Sequence, residues 1–154
     1  MSSVSVREAT ADDAGHVTAL VDAAYRHYVE RIGTRPGPMR DDYDAAIRDR
    51  RVLVVPGDGA TALAGVLVLD VTDDGFLLDN VAVHPAHQGR GLGRALLDRA
   101  EAEARAVGFD SIYLYTHELM TENQAIYRAR GYVEYERRTE FGLTRVFMRK
   151  PLAG

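Results

Sequence analysis

A chain of 154 residues, 46% apolar and 27% charged, suits one compact domain with one core, so a single domain over 1–154 is expected. A net charge of −4 disfavours general nucleic-acid binding, and no apolar run reaches membrane-spanning length. The sequence has no cysteine, which removes disulfides, thiolate catalysis and Cys-ligated zinc together and makes a cytoplasmic setting the default.

The start, Met1 to Ser5, has no apolar signal-peptide core. Val4 to Arg7 alternates weakly and predicts a first strand. Thr10 can cap a helix whose buried face carries Val17, Leu20, Val21, Ala24 and Tyr28, fading near Glu30. Ile32 to Met39 holds two prolines and two glycines and is expected to be non-helical. Asp41 or Asp42 opens a second helix to about Arg50. Val52 to Val55 and Ala62 to Leu69 predict strands, with Gly65 at a bulge, and Asp73-Asp74-Gly75 is a hairpin signal into the strand Phe76 to Val83. These strands form an antiparallel meander.

The next stretch organises the chain. After the strand comes a polar loop with glycines at 89, 91 and 93, then Leu92, Leu96, Leu97 and Ala100 at helical spacing, out to about Val107. A helix N-terminus has unpaired N–H groups and partial positive charge, and glycines let an anion approach the backbone closely. Arg90 and Arg94 add full charges. The default reading is a phosphate or pyrophosphate site. A P-loop needs Gly-Lys-Ser/Thr, which is missing; a dinucleotide fingerprint needs glycines directly after the strand, where His84 to Gln88 intervene.

Ser111 to Thr116 predicts a strand parallel to Phe76–Val83 through a right-handed helical crossover. Glu122 to Arg130 predicts a short helix capped by Thr121, on which Asn123 and Tyr127, four apart, share a face. Tyr132 to Thr139 and Thr144 to Arg149 predict a final hairpin about Gly142, and the rest reads as tail.

Gln88-Gly89-Arg90-Gly91-Leu92-Gly93, fitting Gln/Arg-x-x-Gly-x-Gly/Ala after an apolar strand, resembles the acyl-CoA pyrophosphate loop of the GNAT family of N-acetyltransferases. Asn123 through Gly131-Tyr132 resembles that family's second cofactor motif, with a departure at its Ala/Ser position, held here by Ile126 or Ala125 as counted. The resemblance covers Phe76 to Arg137 well and the first half only through element order.

That resemblance implies an α/β protein of the GNAT acyl-CoA N-acyltransferase fold: a mostly antiparallel sheet with one parallel pair, flanked by helices. It implies acetyl-CoA as donor, with no metal, and an amine of a small molecule, peptide or protein as acceptor, reacting by direct attack through a tetrahedral intermediate. Backbone groups of Val81, Ala82 and Val83 would meet the pantetheine arm and donate to the oxyanion. N–H groups of Gln88, Gly89, Arg90, Gly91, Leu92, Gly93 and Arg94 would hold the pyrophosphate, and Asn123 the arm. Tyr127 would act as general acid. Tyr25, Tyr28, Arg31, Arg35, Met39, Arg40 and Tyr43 lie in the region that borders the acceptor, and arginines 31, 35 and 40 favour an acidic one.

Only a neutral amine attacks, and an amine like that of Lys has a pKa of about 10.4, so a base is needed. Asp79 is one candidate; it lies four before Val83, which on a regular strand puts both side chains on one face. His117, followed by Glu118 at the end of the second parallel strand, is the other. His84 and His87 read as loop structure, and no His/Asp/Glu spacing suggests metal ligands. Two readings remain beside the enzyme: a non-catalytic acyl-CoA-binding regulatory module of the same fold, and a nucleotide-binding α/β protein, against which the missing Lys argues. A homodimer through the last hairpin fits its sequence as well as closure of its own sheet does.

Overall fold

The computed structural model describes residues 4–152; the first three residues and the last two of the expected tail lie outside the described residues. The elements are β1 (Arg7–Glu8), α1 (Ala14–Ile32), α2 (Gly37–Arg40), α3 (Tyr43–Asp49), β2 (Arg51–Pro56), β3 (Leu63–Thr72), β4 (Gly75–Val83), α4 (Leu92–Ala106), β5 (Ser111–His117), α5 (Thr121–Ala129), β6 (Val133–Glu140) and β7 (Leu143–Pro151). They build a seven-stranded sheet in the order β1-β2-β3-β4-β5-β7-β6. Every neighbouring pair is antiparallel except β4 and β5, as the crossover through α4 requires.

Two cores flank the sheet. On one face Leu92, Leu96, Leu97, Ala100 and Ala104 of α4 pack on Leu67, Leu69, Phe76, Leu78, Ile112 and Leu114. On the other Val17, Leu20, Val21, Tyr25 and Tyr28 of α1 pack on Val52, Val54, Val66, Val68 and Ala82.

Several local expectations need correction. The first strand is only Arg7–Glu8. Gly37, Pro38 and Met39 of α2, and Ile32 at the end of α1, fall in the segment expected to be non-helical; Pro38 sits in the first turn of α2, where a missing N–H costs nothing. Strand β3 runs three residues past Leu69 because it pairs with β4 as far as Thr72↔Gly75. Thr121 does not cap α5; its hydroxyl turns to Glu122, and the Gln124 side chain ties the turn before α5 by donating to the carbonyls of His117 and Glu118. The tail reading fails at Pro151, which ends β7, and at Leu152, which is buried with its N–H on the Asp110 carbonyl.

The correction with most consequence lies in β4. Val68 pairs with Asn80 and Leu69 with Leu78, leaving Asp79 as the extra residue of a β-bulge. Phe76, Leu78, Val81 and Val83 therefore all face the α4 core, while Ala82 joins the α1 core. Alternation is broken at Asp79, so Asp79 does not share a face with Val83. A second register shift, between Val55 and Pro56, leaves Ala64 unmatched beside Gly65. A Cβ on Gly65 would stand 3.0 Å from Leu96 Cδ1, so α4 approaches the sheet over a bare backbone there.

Candidate active site

Strand β5 pairs with β4 only at Phe76↔Ile112 and Leu77↔Tyr113, although β4 continues to Val83 and β5 to His117. Beyond Leu77 the two strands have no residues in register, and the sheet opens at their carboxyl ends. A crevice at that place is where open α/β sheets take ligands. Two cavities meet in it.

The larger, of about 1060 Å³, runs from the glycine loop to α5 and is lined by Ala24, Tyr28 and Arg31 of α1, the end of β4, and residues of 87–94. The loop makes a 3-10 turn at Pro85–His87, shaped by the Ala86 N–H donating to His84 Nδ1 at 3.0 Å. Gly89 (φ 82°) and Gly91 (φ 78°) take left-handed backbone that only glycine adopts freely, and nothing crowds the position of a Cβ at either. No side chain caps α4, and no acidic residue occupies its first turn, so its leading N–H groups and positive dipole end face the loop. Arg90 and Arg94 are exposed beside it, Arg90 with Nη1 3.5 Å from His87 Nδ1. His87 itself is buried, and its Nε2 makes no hydrogen bond but lies 3.5 Å from Asp58 Oδ1. This cradle and the cavity's length fit a pyrophosphate with an extended arm.

The smaller cavity, of about 550 Å³, lies under the segment from α1 to α2 and is lined by Arg40, Arg50, Asp70, Asp79, Tyr115, His117 and Arg145 among others. Tyr25, Val81, Asn123 and Tyr127 border both cavities.

Tyr127 is buried on α5 with its ring edge-on to Tyr132 at 5.7 Å, and burial alone pushes its hydroxyl up to about 12. Among the described residues nothing hydrogen-bonds that hydroxyl. Asn123 reaches only the Met120 sulfur, at 3.9 Å. Asp79 accepts from Arg50 Nη1 at 2.8 Å, and the same nitrogen reaches Asp41 at 2.7 Å. Burial raises the Asp79 carboxyl above its ordinary range, and Arg50 pulls it back down. His117 is shifted down by burial, with Arg145 adding to the shift; its Nδ1 accepts the Leu119 N–H at 3.0 Å, which leaves Nε2 for other work.

Three contributors went unread in the sequence. Asn80 is buried; its Oδ1 accepts from Tyr25 at 2.8 Å and its amide donates to Tyr43 at 3.0 Å, while Tyr43 donates to the Pro38 carbonyl at 2.6 Å. Tyr25 also reaches the Val81 carbonyl at 3.1 Å. The network pins α1, α2 and α3 to β4, and its signal was a polar pair, Asp79-Asn80, inside an apolar run. Arg50 and Arg145 carried no local signal, since both meet the cavity only through the fold.

The expected acceptor-side residues divide. Tyr25 and Arg40 line the smaller cavity, whereas Tyr28 and Arg31 line the larger one. There Tyr28 donates to Glu122 at 2.7 Å and Arg31 pairs with Glu122 at 2.8 Å. Arg35 is held by Asp22 at 2.8 Å. Met39 packs against the α1 core. No described helix is long and apolar enough to cross a membrane.

A model of the acetyltransferase (GNAT) family matches residues 18–132. An IAA acetyltransferase of Azospirillum brasilense is 30% identical over 152 residues, spanning 95% of each chain. A mycothiol acetyltransferase of Beutenbergia cavernae is 34% identical over 105 residues, covering 68% of this chain and 30% of that longer protein. Among solved structures, the PaiA N-acetyltransferase of Thermoplasma acidophilum in complex with coenzyme A superposes with a TM-score of 0.76, at 17% identity, covering 97% of this chain and 99% of that one.

Proposed function

The chain belongs to the acetyltransferase (GNAT) family and is an acetyl-CoA-dependent N-acetyltransferase, and on that premise we propose how its residues divide the work and that the acceptor is a small-molecule or peptide amine in the smaller cavity. The observation that carries this reading is the shared wall: Tyr25, Val81, Asn123 and Tyr127 stand where a donor site and an acceptor site open onto each other.

Bound acetyl-CoA supplies an activated acyl carbon and a sulfur leaving group. N–H groups of Gln88 to Arg94 hold the pyrophosphate, helped by Arg90 and Arg94. Backbone groups of Val81 to Val83, free of β5 on that edge, hold the arm and donate to the carbonyl oxygen as charge develops there. Asn123 hydrogen-bonds the arm. Asp79 accepts the proton from the attacking amine as the nitrogen–carbon bond forms. Its burial supports that role, because a carboxyl raised toward neutrality is the better base. Tyr127 gives its proton to the sulfur as the carbon–sulfur bond breaks, and recovers one from water. A sulfur like that of Cys, with a pKa of about 8.5, leaves readily enough that a weak acid suffices. His117 is a second base on the same cavity, supported by burial that keeps it neutral.

A cytoplasmic setting belongs to the same reading, supported by the cysteine-free sequence. A homodimer through the β6 edge is supported by the exposed Val133 and Tyr135 there, and sedimentation tests it.

The test is thiol release and mass increase of a panel of primary amines with saturating acetyl-CoA. Asp79→Asn is expected to lower kcat/KM by about 100-fold or more with acetyl-CoA binding unchanged. An Asp79→Asn enzyme as active as the parent, beside an impaired His117→Ala, moves the base to His117. No acetylated product from a protein that acetyl-CoA stabilises returns the chain to the non-catalytic module.

A further inference from the structure

The two walls of the acceptor cavity differ in charge. Asp70 and Asp79 stand on the β3–β4 side, with Asp79 shared by Arg50. Tyr115, His117 and Arg145 stand on the β5–β7 side, where His117 pairs in register with Arg145. Asp79 is moved by Arg50, Asp41 and Asp70, and His117 by Glu118 and Arg145, while Tyr115 feels Asp79 and Arg50 across the cavity.

Arg145 is the anomaly. The other half-buried arginines are satisfied: Arg50 by Asp41 and Asp79, Arg99 by Glu103, Arg130 by Asp98 and Glu101, Arg149 by Ser111 and the Asp74 carbonyl. Arg145 has its guanidinium 5.0 Å from the centre of the Tyr115 ring and, among the described residues, no hydrogen-bond acceptor and no carboxylate. Removing part of a cation's water without a partner is unfavourable. The planar guanidinium, over an aromatic ring and lining a cavity, can meet a carboxylate in bidentate fashion. Arg40, from α2 at the other side of the same cavity, also lacks a carboxylate among the described residues.

We propose that the acceptor is an amino-carboxylate: an amine that also carries a carboxylate, which Arg145 binds, while the amine lies against the Asp70–Asp79 wall. This rests on the smaller cavity being the acceptor site. The wall carboxylates draw in the ammonium form and Asp79 takes its proton; the opposite wall fixes which end of the molecule faces the donor.

The test uses glycine, β-alanine, γ-aminobutyrate, 6-aminohexanoate and the common L-amino acids, each beside its uncharged amide, with saturating acetyl-CoA. At least one carboxylate-bearing acceptor is expected to exceed its amide about 10-fold or more in kcat/KM, and the best chain length measures the gap between the walls. Arg145→Gln is expected to raise KM for that acceptor by about 10- to 100-fold, as for a lost charged hydrogen bond. The loss should fall on KM more than on kcat and should be clearly smaller on the amide, KM for acetyl-CoA should hold, and Arg145→Lys should recover part of the loss. Amides acetylated as well as acids, or an Arg145→Gln loss equal on both, overturns the carboxylate site and leaves acetyl transfer standing. No product from either series, with acetyl-CoA still stabilising the fold, overturns both.

Discussion

Replacing Tyr127 by Phe removes one oxygen from the junction of the two cavities, and the structure separates its two consequences. The hydroxyl has no hydrogen-bond partner among the described residues, so no buried acceptor is orphaned. The ring contact with Tyr132 at 5.7 Å survives in Phe. Stability should therefore change by less than about 0.5 kcal/mol, in either direction. The chemical loss is bounded from the other side. General acid catalysis is worth roughly 100- to 10,000-fold, and a thiolate that leaves readily needs the low end, so kcat should fall by about 100-fold, or about 2.7 kcal/mol of barrier. Because burial pushes Tyr127 up to about 12, it stays protonated across the assay range, and the parent should show no alkaline loss of activity below about pH 10 from this group. The assay is steady-state thiol release with the best acceptor, beside a urea melt of both proteins. A Tyr127→Phe enzyme with unchanged kcat refutes the acid role. A loss of kcat matched by a large fall in the unfolding midpoint makes Tyr127 a packing residue.

Two predictions concern the fold. Asp13 accepts from Arg7 at 2.8 and 2.9 Å and from the Thr10 N–H at 2.8 Å, and the Arg7 hydrogen bond is the main reason its carboxyl is lowered to about 2. A depressed carboxyl stabilises the fold above its unfolded value near pH 4, and that contribution is lost as the pH falls through 2. Asp13→Asn should cost about 1–2 kcal/mol at pH 7, discounted for the half-exposed Arg7, and almost nothing near pH 2; equal costs in urea melts at both pH values would refute it. Leu96→Ala should cost about 3–5 kcal/mol as a core cavity. Gly65→Ala should cost about 1–3 kcal/mol in the parent, since its Cβ meets Leu96 at 3.0 Å, and clearly less in the Leu96→Ala background; simple additivity in that double-mutant cycle would refute the clash.

The glycine loop and helix start proposed to hold the donor were legible because their signals are local. Glycines at 89 and 91 mark left-handed backbone, and leucines at 92, 96 and 97 mark the helix face that buries behind it. A loop and a helix start are set within a few residues, so sequence spacing carries them. The acceptor half was legible only as a region. Of the three arginines expected there, Arg31 and Arg35 are drawn off by Glu122 and Asp22, neither of which spacing could pair with them in advance. Arg145 enters the cavity through the pairing of β7 with β5, a long-range register that no window of sequence holds. The face of Asp79 was misread because alternation assumes a regular strand, and one inserted residue reverses every side chain beyond it.

That inserted residue explains more of the site than any motif does. Counted back from Val83 along a regular strand, Asp79 would point into the α4 core, among Leu96 and Ile112, where an unpaired carboxylate is strongly disfavoured. The bulge turns it instead to the face where Arg50 waits, and keeps Asn80 on that face to be held by Tyr25 and Tyr43. Bulges also increase local twist, and this one lies two residues past the last pair between β4 and β5. The residue proposed as the base thus sits where the sheet opens. Removing the bulge by deleting Asp79 should therefore impair donor binding as well as chemistry, whereas Asp79→Asn, which keeps the extra residue, should impair chemistry alone. Calorimetric titration with coenzyme A separates the two variants, and equal affinity in both would detach the opening of the sheet from the bulge.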